Sequence, residues 1–159
     1  MTQARASDTK VAATACERLT PGSIVVKRNF HVTVDELFHA WLDPDSLARW
    51  MHPGTELRSS ATVDARVGGM FEVVMHYPDG PNRHYGEYRV IERNRKLVFT
   101  WISDATHHME TLVTVDFLAS LDGTDIVLTH ERMPDQEAAL SHEWGWTAAL
   151  DLLQHLFLA

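Results

Sequence analysis

The chain of 159 residues contains a single cysteine, Cys16. One thiol excludes an internal disulfide and any CxxC-type metal or redox motif. Its setting among small polar residues reads as an exposed, incidental thiol. No window approaches the roughly 20 consecutive apolar residues of a membrane-spanning helix. The first twenty residues also lack the continuous apolar stretch of a secretory signal. A cytoplasmic protein without a membrane span is the resulting expectation. Positive charge is scarce as well: 14 Lys and Arg stand against 22 Asp and Glu, a formal net charge of −8, with no basic run anywhere. Such a surface repels phosphate backbones, which argues against a nucleic-acid partner. A phosphate-binding glycine loop, a G-x-S-x-G elbow and a zinc-protease helix are all missing. No cofactor is therefore expected, and no catalytic residue stands out.

At this length roughly 70% of the unfolded chain's surface can be buried, enough for one core with room for a cavity. Residues 1–22 carry no periodicity and read as a flexible extension ending near Pro21-Gly22; residues 23–159 read as one domain. From Ser23 to His31, Ile24, Val26 and Phe30 alternate with polar residues, the pattern of a strand. Thr33 and Glu36 then form a T-x-x-E capping box that starts a helix. Asp43-Pro44 starts a second, with Asp as the cap and Pro at the first helical position. Leu47 and Trp50 give that helix its apolar side.

A series of strands follows. Leu57, Ser59, Ala61 and Val63 alternate with polar partners. Phe71, Val73, Met75 and Tyr77 do the same, and residues 78–82, Pro-Asp-Gly-Pro-Asn, read as a hairpin loop. Gly86, Tyr88 and Val90 mark the next strand; Leu97, Phe99 and Trp101, then Val113, Val115 and Phe117, then Ile126, Leu128 and His130 mark the rest. Short connections imply an antiparallel meander. One apolar sheet face needs a cover, and the segment Asp135–Ala159 supplies it, with Trp146, Ala149, Leu150, Leu153, Leu156 and Phe157 at helical spacing. Gly145 inside that helix costs about 1 kcal/mol relative to Ala; close approach to the sheet would account for it.

This order of motifs resembles a known family. Arg28-x-Phe30, the run from Glu36 to Trp50 (Glu-Leu-Phe-x-Ala-Trp-x-Asp-Pro-x-x-Leu-Ala-Arg-Trp), Gly68-Gly69-x-Phe71, the Pro78-Asp79-Gly80 hairpin, the 97–101 strand, Gly123-Thr124 and Gly145-Trp146 are similar to the START-like (SRPBCC) superfamily. The branch is the one named after the activator of the heat-shock-protein-90 ATPase. The resemblance implies an α+β helix-grip fold: a strand, two small helices, six more strands and a long helix across the curved sheet. It also implies a cavity for lipids, polyketides or other apolar molecules. Val32-Thr33 replaces the usual Ala-Pro before the first helix, and Met51 stands where many relatives carry a second tryptophan. Relatives that activate the chaperone ATPase have a separate N-terminal domain that these residues do not contain.

Ten histidines invite a metal or acid–base reading. His107 and His108 are adjacent at a loop-to-strand boundary, so their rings point apart and an exposed turn is favoured over a shared ion; no metal site is expected. His76 and His84 flank the hairpin, and solvent exposure is favoured for both. His130 continues the Ile126–Leu128 face, and His142 precedes Trp146 by one turn on the apolar stripe. Both point into the space between helix and sheet, either as satisfied core histidines or as polar anchors in a pocket. The candidate pocket lining is Phe71, Val73, Met75, Tyr88, Trp101, Leu128, His130, His142 and Trp146, with Trp101 and Trp146 as opposing walls. The leading expectation is a binding protein for a small apolar or aromatic molecule. The alternatives are a cyclase- or hydrolase-like enzyme with His130 or His142 as general base, and a chaperone-interacting module with exposed apolar residues such as Met51 and Met109. A homodimer stays open.

Overall fold

In a computed structural model the described residues are 22–54 and 57–158; the expected N-terminal extension through Pro21 and Cys16 within it lie outside them. The element order is β1 (Ile24–Phe30), α1 (Val34–Ala40), α2 (Pro44–Trp50), β2 (Arg58–Val63), β3 (Met70–Tyr77), β4 (Gly80–Glu92), β5 (Lys96–Trp101), a 3-10 turn (Asp104–Thr106), β6 (Thr111–Ser120), β7 (Gly123–Glu131) and α3 (Gln136–Leu158). All seven strands form one antiparallel sheet in the order β1-β7-β6-β5-β4-β3-β2. It curls into a half-barrel around α3: this is the α+β helix-grip fold.

Local chemistry sets the element starts. Thr33 Oγ1 accepts from the backbone N–H of Glu36 at 3.2 Å, and the Glu36 carboxylate faces the Thr33 N–H, so the capping box forms. Asp43 Oδ2 accepts from the Ser46 N–H at 2.9 Å, with Pro44 first in α2. Asp135 does the same for α3, accepting from the Ala138 N–H at 2.8 Å. Each contact satisfies a helix N–H that has no partner within its own helix.

The curl comes from β4. Its first half pairs with β3 and its second half with β5, and the register shifts between Tyr88 and Val90. An extra residue there bends the strand and turns its side chains. Consequently Ile91, opposite Leu97, packs on the core. Val90, which simple alternation groups with Gly86 and Tyr88, is only half-buried, because alternation does not carry through a bulge. Just before it, Gly86 crosses so close to β5 that a Cβ would lie 1.9 Å from the Thr100 carbonyl oxygen. The Thr100 hydroxyl accepts the Glu87 N–H at 2.9 Å in place of a ladder partner.

The hairpin before β4 is tighter than the composition implies. Tyr77 pairs with Gly80, so only Pro78 and Asp79 turn, and Pro81 and Asn82 already belong to β4. Asn82 then stands opposite Met75 and His84 opposite Val73.

The sheet's concave face and the inner stripe of α3 (Ala138, Ala139, His142, Trp146, Ala149, Leu150 and Leu153) are buried against each other. The far end of α3 is tied to β1: Arg28 donates to Asp151 at 2.6 Å, and Gln154 donates to the Asn29 carbonyl at 2.8 Å. No helix among the described residues is long and apolar enough to cross a membrane.

Gly86→Ala is expected to lower the free energy of unfolding by more than roughly 2 kcal/mol, because the added methyl meets backbone that cannot yield cheaply. Urea denaturation checks this; an unchanged midpoint would mean that β4 and β5 do not approach as described.

Candidate functional site

The expected aromatic walls meet. Trp101 at the end of β5 and Trp146 on α3 have ring centroids 5.1 Å apart. On one side of this pair the polar groups are fully matched. The Trp146 Nε1–H donates to His130 Nδ1 at 3.0 Å. An indole nitrogen can only donate, so Nδ1 is bare and a neutral His130 carries its proton on Nε2. That N–H donates to Thr111 Oγ1 at 2.8 Å, and the Thr111 hydroxyl donates to the Trp101 carbonyl at 2.5 Å. His130 is 0% exposed, and burial holds its imidazole well below the ordinary histidine range, with His142 acting in the same direction. Both of its nitrogens are committed. His130 is thereby a satisfied core residue.

On the other side lies a cavity of about 110 Å³. Its lining includes Met51, Met75, Tyr77, Asn82, His84, Trp101, His142, Gly145 and Trp146, with Trp144, 65% exposed, beside it. Here the polar groups are not matched. His142 Nδ1 lies 2.8 Å from the Ala138 carbonyl, so it donates, and the neutral ring presents Nε2 as an acceptor. Burial lowers the His142 pKa, which favours that neutral form. His84 is 6% exposed and packs 5.1 Å from Trp101. Burial, reinforced by His142, pushes its pKa down to about 4. Among the described residues, Trp41 Nε1 and Asn94 Oδ1 are buried without a hydrogen-bond partner away from this cavity, and three further atoms are likewise unpartnered: His84 Nδ1, Trp101 Nε1 and Asn82 Oδ1. All three residues line this one cavity.

Four of the nine expected lining residues are therefore brought together at the cavity: Met75, Trp101, His142 and Trp146. Phe71 and Tyr88 instead border a gap of about 10 Å³ beneath Trp41 and Met51. Val73, Leu128 and His130 are wholly buried in the core.

Several other expectations change. His84 is not solvent-exposed, whereas His76 is. The narrow turn brings His84 into the inward phase of β4, two residues before Gly86 and four before Tyr88. Met51 is buried at the cavity and is no exposed patch; Met109 is exposed. Gly145 does not approach the sheet: a Cβ there would meet nothing within 4 Å. The adjacent His107 and His108 face different carboxylates, Asp135 and Asp104.

A family model for Activator of Hsp90 ATPase homolog 1-like protein matches residues 31–157. The chain belongs to this family. A Chromobacterium violaceum protein of known structure is 23% identical, with a TM-score of 0.79 over 86% of this chain and 97% of its own. The AHSA1 protein of Silicibacter pomeroyi is 24% identical, with a TM-score of 0.72 over 86% and 98%. An AHSA1-like protein of Aeromonas hydrophila is 24% identical, with a TM-score of 0.70 over 84% and 90%. At these identities the likeness establishes the shared fold alone. No curated protein matches the chain. Met51 adjoins both the cavity and the gap beside Trp41.

The buried imidazoles make stability depend on pH. Their folded pKa values are depressed below 6.5, to about 4 for His84. Below pH 6.5 the unfolded chain takes up protons that the folded chain does not, so stability is complete above that value and is lost as pH falls toward about 4. Each histidine kept neutral contributes a slope of up to roughly 1.4 kcal/mol per pH unit. Thermal unfolding between pH 7 and 4.5 should show a falling midpoint; a flat midpoint would contradict neutral burial.

Proposed function

We propose that the protein binds a small, largely apolar or aromatic molecule in the cavity between β3, β4, β5 and α3. The observation that carries this is that three residues with unpartnered buried polar atoms, beside aromatic and methionine side chains, line one space. Buried polar groups are nearly always hydrogen-bonded, and leaving one unmet costs about 1–3 kcal/mol. Three of them on one cavity call for an occupant with complementary atoms. Trp101, Trp146 and Met75 would hold its apolar body, and His84, His142 and Asn82 would fix its orientation.

Size narrows the occupant. Drug-sized ligands fill pockets of roughly 300–1,000 Å³, whereas an apolar cavity of about 150 Å³ holds benzene. The 110 Å³ here is below even that, so in this conformation it admits at most a single ring and not a lipid chain or a polyketide.

Gly145 supports the same reading. A glycine in a helix interior costs about 1 kcal/mol relative to alanine, and its Cβ position opens into free space beside the cavity. A larger residue would fill that space.

A second reading has one observation in its favour. His142 offers a bare Nε2 on a ring kept neutral by burial, which is the form a general base requires. His130 is a poor base because both of its nitrogens are engaged. Turnover of any bound ligand that ceases in His142→Gln while binding persists would favour this enzymatic reading.

Gly145→Ala is expected to stabilise the protein by about 1 kcal/mol, and Gly145→Leu to remain folded while losing ligand binding. A thermal-shift screen with single-ring aromatics, fatty acids and polyketides checks both, because a ligand that binds the folded state raises its stability. Single-ring compounds should raise the wild-type midpoint and leave Gly145→Leu unmoved. No shift from any compound would overturn the reading.

A further inference from the structure

The polar atoms at the cavity specify more than a small ligand. Trp101 Nε1–H is a donor with no partner, and it can do nothing but donate. His142 Nε2 is an acceptor, because Nδ1 spends its proton on the Ala138 carbonyl. Asn82 Oδ1 is a second unpartnered acceptor. An occupant must therefore accept one hydrogen bond and donate at least one.

The rings that carry the first two groups both neighbour His130. His84 lies 5.1 Å from Trp101, Trp101 lies 6.3 Å from His130, and His130 lies 4.9 Å from His142, centroid to centroid.

Charge is excluded on separate grounds. Among the described residues, no Lys, Arg, Asp or Glu lines the cavity. His84 and His142 there are kept neutral by burial. A carboxylate or an ammonium ion would enter without a counter-ion, and burying an unpaired charge costs far more than burying a hydroxyl. A pure hydrocarbon fits the walls but leaves every unpartnered atom unmet.

One functional group combines these properties at the available size. A hydroxyl both donates and accepts, and on an aromatic ring it ionises only near pH 10, as tyrosine does. We propose that the cavity, read as above as a ligand site, selects a neutral single-ring phenol over a hydrocarbon, an ether, a carboxylate or an ammonium compound. The ring lies against Trp101 and Trp146, and the hydroxyl accepts from Trp101 and donates to one of the two acceptors, His142 Nε2 or Asn82 Oδ1.

Titration calorimetry of the full chain at neutral pH with phenol, toluene, anisole, benzylammonium and benzoate tests this. Phenol and toluene have the same number of heavy atoms, so size is held constant; anisole accepts but cannot donate. Phenol should bind roughly tenfold or more tighter than toluene and anisole, the equivalent of about one net hydrogen bond. Benzoate and benzylammonium should not bind measurably. Trp101→Phe and His142→Leu should each shrink the lead of phenol over toluene several-fold while toluene affinity changes little. The selectivity of the unmodified chain decides the matter even if either variant fails to fold. Toluene, anisole, benzoate or benzylammonium binding as tightly as phenol would overturn the proposal and leave the ligand site intact. Silence from all five, with a shift from some other compound in the wider screen, would also overturn the phenol class alone. Silence in both experiments would remove the ligand site with it, leaving ordered water as the partner of these atoms.

Discussion

The structure depends on a relay of three hydrogen bonds that joins the long helix to the sheet. Trp146 on α3 donates to His130 on β7, His130 to Thr111 on β6, and Thr111 to the backbone of Trp101 on β5. Each proton has one consistent position, because the indole can only donate and the carbonyl can only accept. Such a chain is costly to break at any point, since its members are buried away from water. It fixes where α3 crosses the sheet at one level along its length. Arg28 with Asp151, and Gln154 with Asn29, fix it at another.

Fixing α3 there also divides the space beside it. Toward β6 and β7 the surfaces close completely, and His130, Leu128 and Val113 have no exposure. Toward β3 and β4 they stay apart: Gly145 supplies no side chain, and His84 and Asn82 replace what could have been hydrophobic residues. The same two surfaces thus form a sealed half and an open half. Glycine and unpaired polar groups both lower stability, and three of the five unpaired buried side-chain atoms among the described residues belong to residues on this open side.

Much of the architecture was legible in the chain. Alternation placed the seven strands, the Thr33–Glu36 and Asp43-Pro44 pairs placed the short helices, and one apolar stripe placed the last helix. Those signals are local, and each rests on two or three neighbouring residues. The inward orientation of His130 and His142 followed from the same phases. What they do there did not follow, because it depends on Trp146 and Thr111, which are 16 and 19 residues away from His130. His84 was misread for a nearer cause: treating residues 78–82 as loop detached it from the phase of Gly86 and Tyr88. Counting back by twos from Tyr88 would have placed it inside. Val90 failed for the opposite reason, since an alternation was carried across a bulge. The role of Gly145 was hidden because a glycine that admits a close neighbour and one that leaves a gap look identical in sequence.

The central claim is that two neighbouring buried histidines differ, one committed on both nitrogens and the other open on one. Imidazole nitrogen resonances in a ¹⁵N-labelled sample at neutral pH report this directly, since protonated and bare nitrogens are well separated. The account requires both rings to be neutral, with the proton of His130 on Nε2 and that of His142 on Nδ1. A charged ring, or a His142 protonated on Nε2, would contradict it.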